Sequence, residues 1–485
     1  MADVIDVPIL SRGRVIMPSE GDSVLFGGRA NESVFRGPDP RNHIDDLLLG
    51  SARKLADLQK IPIDEIIDLL AELGPRLSRH TNPYMGRAFE LALQVGGLTE
   101  TVLADVYDQL PNMFNRRKLD QTIDKNVGKA YLDGWVEKGA PGRSRIRVRA
   151  VGTRQLHITA GNVPVVAAST VIRAALTKSD CLIKSPSNDP LTANAIVRTL
   201  IELAPDHPVT RHLAVAYWKG GDDIVEQQVL RPTRIDKITA WGGMASMQHI
   251  QKHLVPGLDL IALNPKFSIS ILGKEALESE AAMLEAAGGL AMNVGHLNQT
   301  ACASTRIAYV ECGTDDASIA RLIAFGEMVY DQIQALPANL STPARVPDRE
   351  LQAELDAIES EDDFYWLKAD TIAGGVIVSR YKGKVDFSDH LNNRIVNLVP
   401  VADLEDVLDF CGDHTQSVPV YPESLRAELR DTLAISGVQR VLPMAPYRGE
   451  NWWDDVQAHT GLPHDGIEPD RRMVRWVTDE SVASS

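Results

Sequence analysis

A thiol set among small residues is the first group in this chain that could do covalent chemistry. Cys302 lies in LNQTACASTR (residues 297–306), where a loop of small side chains enters an apolar run. Small neighbours let an electrophile approach, and a thiolate there can attack a carbonyl carbon. The plain alternative is a small buried hydrophobe. Lys184 ends the apolar run CLI, and a cation at a strand's carboxyl end suits a ribose or phosphate. An exposed loop lysine is the plain alternative. Gly242 and Gly243 follow KITAW and precede MASMQHI. Two glycines between a strand and a helix let a pyrophosphate approach the backbone at a helix N-terminus, or make an ordinary turn. His157 and His296 are candidates for proton transfer. Cys181, Cys312 and Cys411 read as packing residues.

These groups need elements to hold them. From about Asn42 to Val136 apolar residues recur at helical spacing, punctuated by Pro62, Pro75 and Pro83. The first 40 residues read as irregular structure or strand fragments. SRIRVRAVGTRQLHITAG reads as one or two strands with a turn at Gly152. Short apolar runs then alternate with helical ones up to LDLIALN and FSISILG, which close the run. That rhythm predicts a parallel sheet with helices on both faces, which binds ligands at the carboxyl ends of its strands. After Lys274 a second such pattern follows, with a long helix in ASIARLIAFGEMVYDQIQAL and strands in GGVIVSRY and IVNLVPV. No GxGxxG or P-loop is present.

Composition narrows the function. Of 485 residues, 44% are hydrophobic and 24% charged, as in a packed globular protein. The net charge of −16 excludes a nucleic-acid binder, which must attract phosphates. A polyanionic ligand would need a locally basic entrance, with Lys184 and the stretch from Arg143 to Arg154 as the candidates. Four scattered cysteines form neither a disulfide framework nor a zinc pattern, so no metal is expected. No apolar run is long enough for a membrane span and no signal peptide is apparent, so a cytoplasmic location is expected.

The order of the motifs resembles the aldehyde dehydrogenase superfamily. The matching pieces are Asn162-Val163-Pro164, Lys184-Ser185-Pro186-Ser187, Trp241-Gly242-Gly243, Leu263-Asn264-Pro265-Lys266 and Cys302. HITAGNVP, IKSPSNDP, ITAWGG, NQTACAS and the late HDG…VRWV resemble more closely its LuxC-type acyl-CoA reductase branch. The resemblance runs from about Gly152 to Val477. It implies an α/β, aldehyde dehydrogenase-like fold: two parallel-sheet domains, an N-terminal helical region and a strand arm for oligomer contacts. Segments of 1–142 (mainly helical), 143–273 (arm and dinucleotide-binding domain), 274–440 (catalytic domain) and 441–485 (strand and tail) follow from it. A homodimer or homotetramer is implied.

The resemblance also assigns roles. Cys302 would attack an acyl-CoA thioester and expel CoA, and the Asn162 amide with the Cys302 N–H would hold the oxyanion. Asn162 capping the helix that follows is the structural alternative. Pro164, Lys184, Ser187, Trp241, Gly242 and Gly243 would contact the dinucleotide. Two departures sharpen the reading. Ala262 stands where the superfamily carries a Glu that activates a hydrolytic water, which favours exchange with CoA over acid formation. Ser187 stands where NAD-preferring relatives carry Glu, which removes a repulsion and favours NADPH, with NADH as the alternative. The rivals are an aldehyde dehydrogenase forming acid or acyl-CoA, and a non-catalytic binding protein on the same fold. The motif His464-Asp465-Gly466 carries no assigned role.

Overall fold

The computed structural model describes residues 4–27, 34–139, 144–444 and 463–482. Arg143, the break between 142 and 143, and much of the segment from 441 onward lie outside the described residues. The chain forms two compact units. One comprises Met1–Gly97, Val106–Asn264 and Asp454–Ser485; the other comprises Leu98–Asp105 and Pro265–Trp453.

The first unit is built on a seven-stranded sheet. Its order is Asp259–Leu263, Lys237–Trp241, Arg154–Ile158, Asp180–Lys184, Leu213–Ala216, Ile9–Ser11 and Arg14–Ile16. The first five strands are parallel and the last two antiparallel. In register, Leu182 pairs with Leu156 on one side and Ala214 on the other. Leu213–Ala216 is buried at every residue, as parallel strands covered on both faces are. Helices Val165–Leu176, Thr192–Leu203, Asp223–Val229 and Met244–Gln251 make the crossovers. Ile9–Ser11, within the stretch read above as irregular structure or strand fragments, extends this sheet, its three residues buried and paired with Leu213–Ala216.

The preceding helical region follows its punctuation. Asn82 caps Pro83–Val95 by accepting from the Tyr84 and Met85 amides at 2.9 and 3.1 Å, with Pro83 in the first turn. Buried Lys178 ties this region to the sheet. Its Nζ donates to the Ile61 and Leu132 carbonyls at 2.5 and 3.2 Å and to Asp133 at 2.7 Å. Gly152 passes directly beneath: a Cβ there would lie 1.8 Å from the Lys178 carbonyl oxygen.

A second tie is ionic. Arg12 donates to both oxygens of Asp180, and His212 sits between Asp180 at 2.8 Å and Asp57 at 2.9 Å. Burial opposes the imidazolium, but the two carboxylates outweigh it and hold the His212 pKa above its ordinary value. Its stabilisation is therefore full below the unfolded value of about 6.5 and lost as pH rises through the raised folded value. Urea midpoints measured upward from pH 6 should fall more steeply for the parent protein than for His212→Gln. Parallel slopes would remove His212 from the account.

The predicted strand region RIRVRAVGT forms Ser144–Val151. It pairs antiparallel with Val136–Lys138 and with Arg475–Val482 in a three-stranded sheet. The motif His464-Asp465-Gly466 is a tight turn. The His464 amide donates to the Ile467 carbonyl at 2.7 Å, and Ile467 returns the bond at 3.1 Å. Asp465 and Gly466 have φ of 51° and 76°, the pattern that selects Asp-Gly at two-residue turns.

The second unit has its own seven-stranded sheet, ordered Tyr365–Asp370, Gly374–Ser379, Ile395–Val401, Thr305–Glu311, Ser268–Leu272, Ser417–Tyr421 and Arg440–Pro443. Only its Tyr365–Asp370 edge is antiparallel among the described strands. FSISILG, expected to close the first sheet, instead pairs here with Thr305–Glu311 and Ser417–Tyr421. Pro265 interrupts the chain just before it and cannot donate to a ladder. Helices Glu280–Gly295 and Asp316–Gln334 cover the sheet, packing Leu290, Leu322, Phe325 and Val329 with Val376, Val378, Val396 and Leu398. Each such burial stabilises by about 1.5–3 kcal/mol.

Candidate functional site

In the second unit, Cys302 stands at the end of an unusual piece of backbone. Helix Glu280–Gly295 ends, and Leu297, Asn298 and Gln299 follow with φ of 52°, 51° and 63°. Three successive non-glycine residues in the left-handed region cost on the order of 1–3 kcal/mol each. Side chains and backbone lock the conformation. Gln299 donates to the Thr305 and Ile395 carbonyls at 2.8 Å each and accepts from the Ile395 amide at 2.9 Å. Asn298 accepts from the Thr342 amide at 2.8 Å, and Leu297 N–H donates to the Leu340 carbonyl at 2.9 Å. A turn closed by Ser304 N–H to the Ala301 carbonyl then presents Cys302, which is exposed, just before the central strand Thr305–Glu311.

Two elements grip Cys302. Ser268 Oγ donates to its carbonyl at 2.8 Å, and Gln416 Nε2 donates to its Sγ at 3.1 Å. Arg306, four residues on, feels the attraction of Cys302 and Asp389; burial pushes its pKa below the ordinary value against them. Gln416 carried no signal in the sequence, because it comes from a loop 114 residues away with no recognisable motif. The other thiols differ. Burial pushes Cys312 and Cys411 up to about 11, with Asp315 adding to the effect at Cys312. Burial raises Cys181 well above its ordinary value.

In the first unit the strand order reverses between Arg154–Ile158 and Lys237–Trp241. From Arg154–Ile158 the sheet grows outward through Asp180–Lys184 and Leu213–Ala216, then restarts on the other side with Lys237–Trp241. In such sheets the crevice at the carboxyl ends of the two strands is where ligands bind. One of these strands leads into Gly161-Asn162-Val163-Pro164 and the other into Gly242-Gly243. Gly243 is the N-cap of Met244–Gln251, makes no side-chain cap, and has open space where a Cβ would stand. Gly161 packs against Asn188, whose Nδ2 donates to the Gly161 carbonyl at 2.9 Å, so the loop after Ile158 is tied to the loop carrying Ser187.

The other predicted residues are placed as follows. Pro164, not Asn162, occupies the N-cap of Val165–Leu176; Asn162 is exposed, two residues earlier. Lys184 ends its strand half-buried, with Nζ 5.9 and 5.4 Å from the Tyr217 and Trp218 rings. Burial lowers its pKa to about 8, against the attraction of Glu226. Ser187 and Trp241 are half-buried, and the Trp241 ring lies 6.1 Å from that of His157. His157 is fully buried, bonded to Gln155 at 2.6 Å. Burial holds it and His296 at about 3, so neither supplies a proton near neutral pH.

Glu226, His249 and His253 bring ligand-type atoms within 4.8 Å of one another, which spacing alone did not suggest. The Glu226 carboxylate is already engaged by His249 at 2.5 Å and by the Gly221 amide at 3.1 Å. The trio therefore serves as a tie between helices Asp223–Val229 and Met244–Gln251.

The donor set at the reversal fits a dinucleotide. It combines a lysine at a strand end with open backbone at Gly243, the N-cap of Met244–Gln251, while a Cβ at Gly242 would lie 3.1 Å from the Ser246 side chain.

Comparison with known proteins gives the family and the fold. Residues 58–476 match the acyl-CoA reductase (LuxC) family. The long-chain acyl-protein thioester reductase of Aliivibrio fischeri is 27% identical over 462 residues, covering 94% of this chain and 91% of that protein. The same-named protein of Photorhabdus luminescens is 28% identical, covering 98% and 93%. Among solved structures, an NADP-dependent glyceraldehyde-3-phosphate dehydrogenase from Bacillus halodurans C-125, complexed with NADP, superposes with a TM-score of 0.71 at 14% identity. The match covers 99% of this chain and all of that one. An aldehyde dehydrogenase from Brucella melitensis biovar abortus 2308 gives 0.67 at 14% identity, over the full length of both. The fold is that of the aldehyde dehydrogenases. Among the described residues, no helix is long and apolar enough to cross a membrane.

Proposed function

We propose, for a chain that belongs to the acyl-CoA reductase (LuxC) family, that it reduces an acyl-CoA thioester to the aldehyde through an acyl group carried on Cys302. The observation that carries this reading is the presentation of Cys302: exposed, just after a locked left-handed turn, with a hydrogen bond donated to its sulfur. The Cys302 thiolate adds to the thioester carbonyl carbon, and the carbonyl electron pair moves to oxygen. The Cys302 N–H and the Asn162 amide are the proposed donors to that oxyanion, the latter on its motif. Collapse re-forms the carbonyl and breaks the bond to CoA, whose thiolate takes up a proton. NADPH, when bound, supplies the hydride that reduces the acyl carbon. The resulting thiohemiacetal is formed as its alkoxide, whose collapse re-forms the carbonyl, releases the aldehyde and returns the Cys302 thiolate.

Lys184 and Ser187 are the proposed partners of the cofactor's ribose and its 2′-phosphate, with Trp241, Gly242, Gly243 and Pro164 shaping the rest of the grip. Ala262 offers no carboxylate to activate water, which supports transfer between thiols over hydrolysis. A cytoplasmic homo-oligomer, with Ser144–Val151 in the contact, completes the proposal.

The relatives' names favour a second donor, an acyl group carried on a protein. A panel separates the two. The chain is given acyl-CoA esters of increasing length, or an acylated carrier protein, with NADPH, and aldehyde is measured. Turnover of CoA esters in the absence of any other protein is the expected result. Aldehyde from the protein-borne acyl group alone would transfer the assignment to the second donor.

A further inference from the structure

We propose that Gln416 is a further catalytic residue: its side-chain amide donates to the Cys302 sulfur and, together with the positive charge of Arg306, holds the thiol in its reactive anionic form. This rests on Cys302 being the nucleophile. Gln416 is 4% exposed, and its backbone leaves it little freedom. Its N–H donates to the Phe267 carbonyl at 2.8 Å, and the next amide, Ser417, donates to Ser268 Oγ at 3.1 Å. That same Ser268 hydroxyl donates to the Cys302 carbonyl at 2.8 Å. Donor and sulfur are thus pinned to one strand end, and the 3.1 Å bond needs no rearrangement to form.

The chemistry follows from the direction of the bond. An amide N–H aimed at a sulfur favours the thiolate over the thiol, and a hydrogen bond to an ion is roughly twice as strong as a neutral one. Arg306 adds the charge. Its Nε donates to the Leu391 carbonyl at 2.9 Å, and its buried Nη1 has no hydrogen-bond partner among the described residues. The charged groups coupled to this cation are Cys302 and Asp389, the latter on the short helix Ser388–His390. His414, on the Gln416 loop, packs at a tilt against Phe267, ring centroids 5.0 Å apart. His296 is held neutral by burial, so it adds no second positive charge. Activation by fixed donors also suits the reaction: the same donors that favour the attacking thiolate stabilise it again when the aldehyde leaves.

The test uses the full chain without acyl donor or nicotinamide. Alkylation of Cys302 by iodoacetamide is followed from pH 5.5 to 10 by mass spectrometry of the peptide that carries it. In Gln416→Leu the midpoint of the rate profile should rise by about one pH unit, slowing alkylation about tenfold at pH 7. Arg306→Met should shift it the same way, and Arg306→Lys should restore part of the shift. If Gln416→Leu does not fold, Gln416→Met, which keeps the length and removes the donor, is read instead. A midpoint unchanged in a folded Gln416 variant would overturn the proposal. The reading of Cys302 as acyl carrier fails separately, by absence of a hydroxylamine-sensitive acyl adduct on the parent protein.

Discussion

Replacing Cys302 by alanine is expected to lower aldehyde formation by at least about 10³-fold, the order of loss seen when a nucleophile is removed from a site that keeps its other parts. The fold should survive. Cys302 is exposed, and the left-handed turn before it is held by Gln299, Asn298 and Leu297 rather than by the thiol. No other cysteine can substitute. With pKa values of about 11, Cys312 and Cys411 would be roughly 10⁻⁴ ionised at pH 7, and Cys181 is buried in a strand. The acyl adduct on the enzyme should disappear together with turnover, while the melting temperature stays within a few degrees. Turnover within twofold of the parent would sink the covalent route and leave direct hydride transfer to the bound thioester.

The largest effect on stability is expected from Lys178→Met. The lysine side chain is fully buried, and its three bonds go to two carbonyls and one carboxylate. Methionine fills the space but leaves the Ile61 and Leu132 carbonyls without that donor. Each buried polar group so stranded costs about 1–3 kcal/mol, so a loss near 3 kcal/mol is expected. That is over a hundredfold in the folding equilibrium, read as a lower urea midpoint at constant slope. Asp133→Asn should cost far less, because Asp133 is 39% exposed and water screens the pair. Equal losses for the two variants would mean that the ion pair, rather than the carbonyl bonds, holds the junction.

Much of this architecture is legible in the residues. Runs such as CLI and IVNLVPV, the latter interrupted only by Asn397, are near-continuously apolar because helices cover both faces of their sheets, and that continuity marks them. What the pattern does not encode is partnership. FSISILG is as apolar as the strands before it, and nothing in its composition says that its neighbours are Thr305–Glu311 and Ser417–Tyr421. Tyr365–Asp370, partly exposed along its length, shows no alternation and went unread. The same limit applies to the candidate site. Cys302 stands out by its small neighbours, and Gly242-Gly243 by its place between strand and helix. The left-handed residues Leu297, Asn298 and Gln299 carry no glycine to announce them, and Gln416 reaches the sulfur only through the fold.

The pairing of Ser144–Val151 with Arg475–Val482 sets a timetable for synthesis. Thr153, at the foot of the first strand, donates to the carbonyl of Met473, 320 residues later. At about 5–20 residues per second, the ribosome needs on the order of 15–60 s to deliver the partner. Throughout that interval Ser144–Val151 has an open edge toward its missing neighbour, while the whole inserted unit is being made and can fold. The nascent chain must therefore guard this edge. Its arginines at 145, 147 and 149 are suited to keeping the bare edge from pairing with other nascent chains until Arg475–Val482 covers it.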